Sequence, residues 1–237
     1  MQADLKVFKH FGVYGLSVLS AATAQNTLKV SAIERMDGSF LYDQLNTLLA
    51  DIKPAAVKTG MLLSAEAVRA VVRVVTSFGL RNLVTDPVIL STTGVRLLDK
   101  KAAGVMIEEL FPLTRVITPN IAEASTFTGM ALSDEASMEQ AAITLKRFGP
   151  EVVIITGGHL EDETLDLLYD GKSFVRFRGR KIAGEFHGTG CAFSAAITAL
   201  LARGAAVTDA VREAVEFVKQ AIESAVTLGK GMRLLNL

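Results

Sequence analysis

The sequence predicts an α/β fold of three layers, α/β/α, with a mostly parallel central sheet. Short apolar, β-branched runs alternate along the chain with longer amphipathic stretches. The runs lack the apolar–polar alternation of a half-exposed strand, which is typical of strands covered on both faces. No linker, low-complexity tract or repeat divides the chain, so residues 1–237 are expected to form a single domain.

The expected strands and helices follow one another in the order that this fold requires. Strands are predicted over residues 55–58, 82–85, 115–118 and 152–155. Helices are predicted over residues 65–78, 99–110, 121–127, 135–148, 191–202 and 208–228. Thr208 is the expected N-cap of the last helix. One section departs from this order, because residues 164–168 and 173–177 flank Asp170-Gly171 and therefore predict an antiparallel hairpin.

The composition excludes several classes of protein. Half of the residues are hydrophobic, and 25 basic side chains balance 25 acidic ones, so the chain is neither disordered nor basic enough to suggest a nucleic-acid partner. The single cysteine cannot form an internal disulfide, which favours a reducing, cytoplasmic setting. The uncharged stretches 11–28 and 186–202 contain many polar or glycine residues, and the N-terminus lacks a signal peptide. No membrane association is expected.

Polar residues follow each of the four predicted parallel strands. They are Lys58-Thr59-Gly60, Asp86-Pro87, Thr118-Pro119-Asn120 and Thr156-Gly157-Gly158-His159. Ligands of open α/β sheets bind beyond the carboxyl ends of the strands. This placement indicates an enzyme.

The segment His187-Gly188-Thr189-Gly190-Cys191 precedes an alanine-rich helix. Free backbone amides and the helix dipole at such a terminus bind anions, as phosphoryl transfer requires. An ordinary loop-to-helix joint explains the same residues equally well. Cys191 is a reactive group only if its pKa is lowered, and otherwise it is a small buried apolar residue.

Three oxygen-bearing side chains are candidates for holding magnesium beside nucleotide phosphates. Asn120 and Glu123 lie one helical turn apart, and Asp86 ends a neighbouring strand. Helix capping explains Asn120 and Glu123 as well, and Asp86 can cap the next turn.

Two further polar stretches are candidates for contacting a substrate. Gln25 offers a side-chain amide that can donate to and accept from a heterocycle, but it is also an ordinary loop residue. Ser91-Thr92-Thr93-Gly94 suits the mouth of a pocket. The three histidines, His10, His159 and His187, show no metal-binding spacing, and neither common glycine-rich phosphate loop is present.

Taken together, the motifs resemble one known family. They are Gln2-Ala3-Asp4-Leu5-Lys6, Gly12-Val13-Tyr14-Gly15, Thr23-Ala24-Gln25-Asn26-Thr27, Lys58-Thr59-Gly60-Met61, Asp86-Pro87-Val88, Thr118-Pro119-Asn120-Ile121-Ala122-Glu123-Ala124, Gly157-Gly158-His159 and His187-Gly188-Thr189-Gly190-Cys191. The set is similar to the hydroxymethylpyrimidine/phosphomethylpyrimidine kinases of thiamine biosynthesis, which have a ribokinase-like fold.

The resemblance implies two successive ATP- and magnesium-dependent phosphorylations. The first acts on 4-amino-5-hydroxymethyl-2-methylpyrimidine, and the second converts its monophosphate to the diphosphate. The resemblance also implies a homodimer and a set of site residues. The pyrimidine would be contacted by Gln25, Asp4, Met61 and Val88. An anion hole would be formed by Gly188, Thr189, Gly190 and the Cys191 amide. The phosphates and magnesium would be bound by Asp86, Asn120, Glu123 and Lys58, with Asp86 and Glu123 reaching the metal through water.

The sequence departs from this family pattern and from related kinases at several positions. Related sugar kinases carry a general-base aspartate where this sequence has Cys191, and kinases with the cysteine also include pyridoxal kinases, whose substrate aldehyde a thiolate can attack. Pyridoxal kinase, a dual-specificity enzyme and a non-catalytic ligand-binding remnant are therefore the competing interpretations.

Other departures concern Thr156, where the family often has lysine, and the unfamiliar ending over residues 232–237. The family also has a strand and a glycine-rich turn directly before Gln2. The expectation is that this first strand is absent and that the chain binds substrate weakly.

Overall fold

The computed structural model describes residues 1–91, 94–157 and 163–237. Helices and strands alternate along most of this chain. The helices are α1 (Gln2–His10), α2 (Gly38–Asp51), α3 (Ala65–Phe78), α4 (Lys100–Val105), α5 (Ile121–Thr128), α6 (Glu135–Arg147), α7 (Thr189–Ala202) and α8 (Val207–Glu223). The strands are β1 (Ala21–Gln25), β2 (Val30–Arg35), β3 (Val57–Thr59), β4 (Leu83–Thr85), β5 (Val116–Ile117), β6 (Val152–Gly157), β7 (Glu163–Tyr169), β8 (Phe174–Arg180), β9 (Phe186–His187) and β10 (Arg233–Leu234).

Six strands form a mixed central sheet in the order β3-β4-β5-β6-β7-β8. The first four are mutually parallel, and β7 and β8 run antiparallel as the predicted hairpin. The Asp170 carboxylate closes the turn of this hairpin by accepting hydrogen bonds from the amides of Lys172 (2.8 Å) and Ser173 (2.7 Å). The predicted α/β class and the mostly parallel sheet are therefore confirmed.

Helices cover both faces of the sheet, which explains the unbroken apolar runs. Neighbouring residues in a strand point to opposite faces. Leu83, Ile117 and Val153 pack in a core with helices α2 to α6, whereas Val84 and Val116 pack in a second core with α1, α7 and α8. The predicted three layers follow from this division.

The helix predictions hold best where the capping residues are clear. The prediction for α3 is confirmed at both ends, and the Ser64 side chain accepts a hydrogen bond from the Ala67 amide as its N-cap. The helix predicted over 99–110 begins at Lys100 behind the Asp99 cap, and it continues after α4 as a π-helical turn, Met106–Leu110.

The prediction for the last helix is wrong at both ends. Thr208 lies inside the first turn of α8, and the N-cap is Ala206, which makes no side-chain capping bond. The helix ends at Glu223 because the chain then turns back on itself: Val226 and Leu234 exchange backbone hydrogen bonds of 2.9 Å in both directions. We call residues 226–234 the C-terminal hairpin.

The N-terminal quarter contains elements for which no secondary structure was predicted. Helices α1 and α2 fall there, as do β1 and β2, which form an antiparallel two-stranded ribbon that is mostly exposed. We call residues 21–35 the flap. None of the helices in the described ranges has the length and apolar character needed to cross a membrane.

Candidate functional site

The carboxyl ends of β3, β4 and β5 meet at one edge of the sheet. The Asp86 amide donates to the Thr59 carbonyl (2.9 Å), and the Thr118 amide donates to the Thr85 carbonyl (3.1 Å). These bonds continue the parallel ladders past the ends of the strands. The polar residues that follow three separate strands are thereby brought side by side, as the strand order requires.

The N-terminus of α7 lies at the same edge. Gly188 is its N-cap, in a left-handed conformation (φ 88°) that favours glycine, and no side chain caps the helix. The first backbone amide with an intrahelical acceptor is that of Ala192, which donates to the Gly188 carbonyl (2.9 Å). The amides of Thr189, Gly190 and Cys191 precede it and have no intrahelical acceptor. This end of the helix attracts anions.

Lys58 is a buried cation that joins three elements. Its Nζ donates to Asp4 Oδ1 on α1 (2.5 Å) and to the Cys191 carbonyl on α7 (3.2 Å). Burial lowers the pKa of Lys58, but its electrostatic interactions with Cys191, Asp4 and Asp86 raise it above its ordinary value overall. The predicted phosphate contact, Lys58, and the predicted pyrimidine contact, Asp4, therefore lie against each other.

Asp86 and Cys191 share this buried environment. Ser194 Oγ donates to Asp86 Oδ2 (3.0 Å), and the Cys191 thiol is also hydrogen-bonded to Asp86. Burial raises the pKa of Asp86, although Lys58 opposes the shift. Cys191 is half-buried as a residue, yet desolvation of its thiol raises the pKa to about 11 against the effect of Lys58. The lowered pKa that a reactive thiolate requires is not found here.

Glu123 combines a capping role with a position beside Asp86. It forms a capping box with Asn120: the Asn120 amide donates to Glu123 Oε2, and the Glu123 amide donates to Asn120 Oδ1, both at 2.9 Å. Its Oε1 accepts from the Ile89 amide (3.3 Å). Burial, followed by the charge of Asp86, raises the pKa of Glu123 to about 8. The capping interpretation of this motif is therefore confirmed, and the magnesium interpretation stays a prediction.

The oxygen atoms at this edge suit a hard divalent cation. Thr59 Oγ1 and Thr118 Oγ1 are buried without a hydrogen-bond partner. Thr59 ends β3 and Thr118 follows β5, the two strands on either side of β4, which Asp86 follows. Two repelling carboxylates with neighbouring hydroxyl oxygens are the type of donor set that Mg²⁺ prefers. Within the described ranges, no group of three or more His, Cys, Asp or Glu side chains forms a complete metal site. The magnesium site therefore stays a prediction.

The other three predicted pyrimidine contacts fall into two groups. Gln25, at the end of β1, has its Nε2 atom 3.5 Å from His187 Nε2, directly before the anion-binding end of α7. Met61 and Val88 instead pack against the base of the flap, around Ala21. Burial lowers the pKa of His187, which favours a neutral ring beside Gln25.

One part of the site was not anticipated, and two predicted parts cannot be described. Ser194 was missed, although its position one helical turn after Cys191 is a usable signal. The Thr156 amide donates to the Pro119 carbonyl (2.9 Å), which places the end of β6 beside α5. The predicted contributions of Thr92, Thr93, Gly158 and His159 lie outside the described residues.

Comparison with known proteins places this chain among kinases. The sequence model of the family described as phosphomethylpyrimidine kinase matches residues 1–236. A hydroxymethylpyrimidine/phosphomethylpyrimidine kinase from Rhizobium meliloti is 42% identical over 98% of the chain and 88% of that protein. The thiamine biosynthesis bifunctional protein ThiED of Geobacter sulfurreducens is 44% identical over 98% of the chain, which spans about half (48%) of that longer relative.

A solved structure shows the same fold. It is a pyridoxal kinase from Bacillus subtilis in complex with ADP, with a TM-score of 0.91 and 35% identity. The match covers 99% of this chain and 90% of the Bacillus protein. The ribokinase-like fold is thus shared between kinases whose names point to different substrates.

Proposed function

This chain belongs to the phosphomethylpyrimidine kinase family, and we propose that it phosphorylates 4-amino-5-hydroxymethyl-2-methylpyrimidine and then its monophosphate, using ATP. The observation that carries the proposal is the arrangement at one sheet edge of an uncapped helix N-terminus beside two buried carboxylates, Asp86 and Glu123. Phosphoryl transfer requires positioning and charge stabilisation above all, and this edge offers both.

In the proposed mechanism the N-terminus of α7 is the anion hole. The amides of Thr189, Gly190 and Cys191 point along the helix axis at the developing charge of the transferred phosphoryl group. The open space around Gly188 and Gly190, where a Cβ would meet no atom within 4 Å, lets a phosphate approach the backbone closely.

Asp86 and Glu123 would hold Mg²⁺ through water, with Asn120 orienting Glu123. When bound, the cation supplies compensation for the negative charge of the phosphates. Both carboxyl groups have raised pKa values, and a neighbouring positive charge favours their ionised forms. Binding of the nucleotide and its cation is therefore expected to release protons at neutral pH.

Lys58 and Cys191 would serve the acceptor side of the site. The buried Lys58 ammonium holds the Cys191 carbonyl and so fixes the first turn of α7. In the second phosphorylation the acceptor is an ionised phosphate, which needs no general base. A protonated thiol at position 191 is compatible with that step.

Substrate recognition would come from the flap side. Gln25 would hydrogen-bond the pyrimidine, with Asp4, Met61 and Val88 around it. Gln25 contacts His187, the residue directly before the N-cap of α7. A heterocycle bound by Gln25 would therefore have its hydroxymethyl group near the anion hole. We further propose a cytoplasmic homodimer.

Pyridoxal phosphorylation is the second candidate function. The Bacillus pyridoxal kinase matches this chain with a TM-score of 0.91, and Cys191 is the residue that would add to an aldehyde. Against it, the pKa of Cys191 is raised to about 11, so little thiolate exists at neutral pH.

The two functions and a ligand-binding remnant are separated by measuring ADP formation with each substrate. We expect turnover with the hydroxymethyl pyrimidine and with its monophosphate, and slower turnover or none with pyridoxal. Gln25→Ala should raise the KM for the pyrimidine about five- to thirtyfold, because one buried heterocycle hydrogen bond contributes about 1–2 kcal/mol. The flap variant Glu34→Ala, exposed on β2, is the matched control.

Wild-type kinetics in Gln25→Ala would refute the pocket assignment. ADP from pyridoxal alone would replace the proposed function with the second candidate. Ligand binding without any ADP would leave only the remnant.

A further inference from the structure

The C-terminal hairpin, residues 226–234, contacts two separate parts of the substrate side of the site. Its two ends are joined by the reciprocal Val226–Leu234 hydrogen bonds. Its tip reaches the flap, and its returning strand, β10, pairs with β9. The hairpin therefore bridges two elements that are far apart in the sequence.

At its tip, the hairpin makes two hydrogen bonds to Thr27 of the flap. The Gly231 amide donates to Thr27 Oγ1 (3.2 Å), and the Met232 amide donates to the Thr27 carbonyl (3.1 Å). A Cβ at Gly229 would overlap the Thr27 hydroxyl, and a Cβ at Gly231 would overlap the Thr27 carbonyl oxygen. Any side chain at position 229 or 231 would therefore clash with Thr27.

The other side of the hairpin holds the strand that leads into the anion hole. β10 runs parallel to β9, with Leu234 opposite His187. The Arg233 amide donates to the Glu185 carbonyl (3.0 Å), and the Arg233 guanidinium lies 5.4 Å from the centre of the Phe186 ring. Gly188, the N-cap of α7, follows β9 directly.

The hairpin contacts the flap and β9, and these two elements carry the Gln25 and His187 side chains that meet in the site. Gln25 is two residues before Thr27, and His187 lies in β9; their Nε2 atoms are 3.5 Å apart. A two-stranded ribbon is marginally stable without support. The hairpin holds both Thr27 and the strand that contains His187. Its contacts therefore restrict how far Gln25 can move from the start of α7.

We propose that the C-terminal hairpin is a positioning element that sets the separation between Gln25 and the anion hole, with Gly231 as its principal contact to the flap. This inference rests on the proposed function for its kinetic consequence. Gln25 would contact the pyrimidine ring and not the phosphoryl group in transfer, so its displacement weakens a contact made equally in the ground state and the transition state, and KM rises. The hairpin would therefore act on pyrimidine affinity without touching the pyrimidine.

Gly231→Ala tests the proposal, because its methyl group must displace the backbone of Thr27. We expect the KM for the hydroxymethyl pyrimidine to rise about tenfold, with the KM for ATP changed less than about twofold. Gly104→Ala is the matched control, since a Cβ at this position in the last turn of α4 meets no atom within 4 Å. An unchanged pyrimidine KM, or a lower kcat with every KM unchanged, would overturn the proposal.

A second pair of variants separates a steric contact from a general loss of folding. Gly229→Ala should raise the same KM, because its methyl group meets the Thr27 side chain. Adding Thr27→Ala removes the hydroxyl that the methyl group meets, and it should bring the KM back to that of Thr27→Ala alone, which lacks only the hydrogen bond from the Gly231 amide. If the double variant is no better than Gly229→Ala alone, the contact does not act through Thr27 and the proposal is wrong.

Amide hydrogen exchange decides the proposal independently of catalysis. In Gly231→Ala, exchange over the flap should accelerate several-fold, while exchange over α3 stays as in the wild type. Unchanged flap exchange would overturn the positioning role even where pyrimidine turnover is observed. Faster flap exchange in a protein that never forms ADP would sustain the positioning role and reject the proposed function.

Discussion

Cys191 shows how two local effects compete at a single residue. The N-terminus of α7 and the charge of Lys58 both favour a thiolate, but burial outweighs them and raises the pKa to about 11. The helix position was readable from the sequence. The burial was not, because it depends on α1 and β3 packing against α7.

We predict that Cys191→Ser retains the second phosphorylation. Its acceptor is an ionised phosphate, and the anion hole uses backbone amides that serine preserves, so ADP formation with the pyrimidine monophosphate should fall less than about tenfold. Loss of a true general base costs about 10²–10⁴-fold. A decrease of that size would show that the thiol takes part in the transfer. Any turnover of pyridoxal should fall further in the same variant.

Glu123 gives a pH dependence with a defined sign. Its pKa is raised from 4.5 in the unfolded chain to about 8 in the fold, mainly by burial. The folded state therefore binds the proton more tightly, and stability falls as the pH rises from about 4.5 to about 8. Glutamine at this position does not titrate, so it escapes that loss.

We therefore predict that Glu123→Gln becomes more stable relative to the wild type as the pH rises. The gain in unfolding free energy at pH 8.5 over that at pH 5.5 should be on the order of 1–3 kcal/mol. Thermal unfolding at the two pH values, without nucleotide, measures it. A difference that does not change with pH would contradict the pKa assignment. The variant should nevertheless lose activity, because the carboxylate would be missing.

At the scale of elements, periodicity and capping signals predicted what lies in the cores. Helix α3 has valines at helical spacing between the Ser64 cap and Gly79, and its bounds were predicted correctly. The end of α8 and the C-terminal hairpin were missed, because contacts with Thr27 and with β9 determine where the chain turns. Helices α1 and α2 were also missed; each contributes a single buried residue to the cores, Val7 and Leu41 respectively.

Gly157, the last residue of β6, packs closely against the antiparallel strand β7. A Cβ there would overlap the carbonyl oxygen of Leu165 in β7, so the two strands can approach only at glycine. Gly157→Ala should cost about 2–3 kcal/mol of unfolding free energy by overpacking. Urea unfolding checks this value against Gly104→Ala, which should be neutral or slightly stabilising. Equal stability of the two variants would contradict the close contact.

For the whole molecule, the class of fold followed from strand patterning, but the spatial order of the strands did not. Unbroken apolar runs show that β4, β5 and β6 are covered on both faces without showing which strand lies beside which. The site depends on that order, since Asp86 and Glu123 approach each other only because β4 and β5 are neighbours. The family was identified from the motifs along the chain, because the periodicity of apolar residues carries no information about it.

The most direct test of the whole account is the stoichiometry of phosphorylation by the intact chain. With excess ATP and Mg²⁺, each 4-amino-5-hydroxymethyl-2-methylpyrimidine should yield two ADP, and phosphorus NMR should show the diphosphate as the final product. The monophosphate supplied alone should yield one ADP. Failure to form ADP from either pyrimidine, with pyridoxal converted to its phosphate instead, would contradict the account.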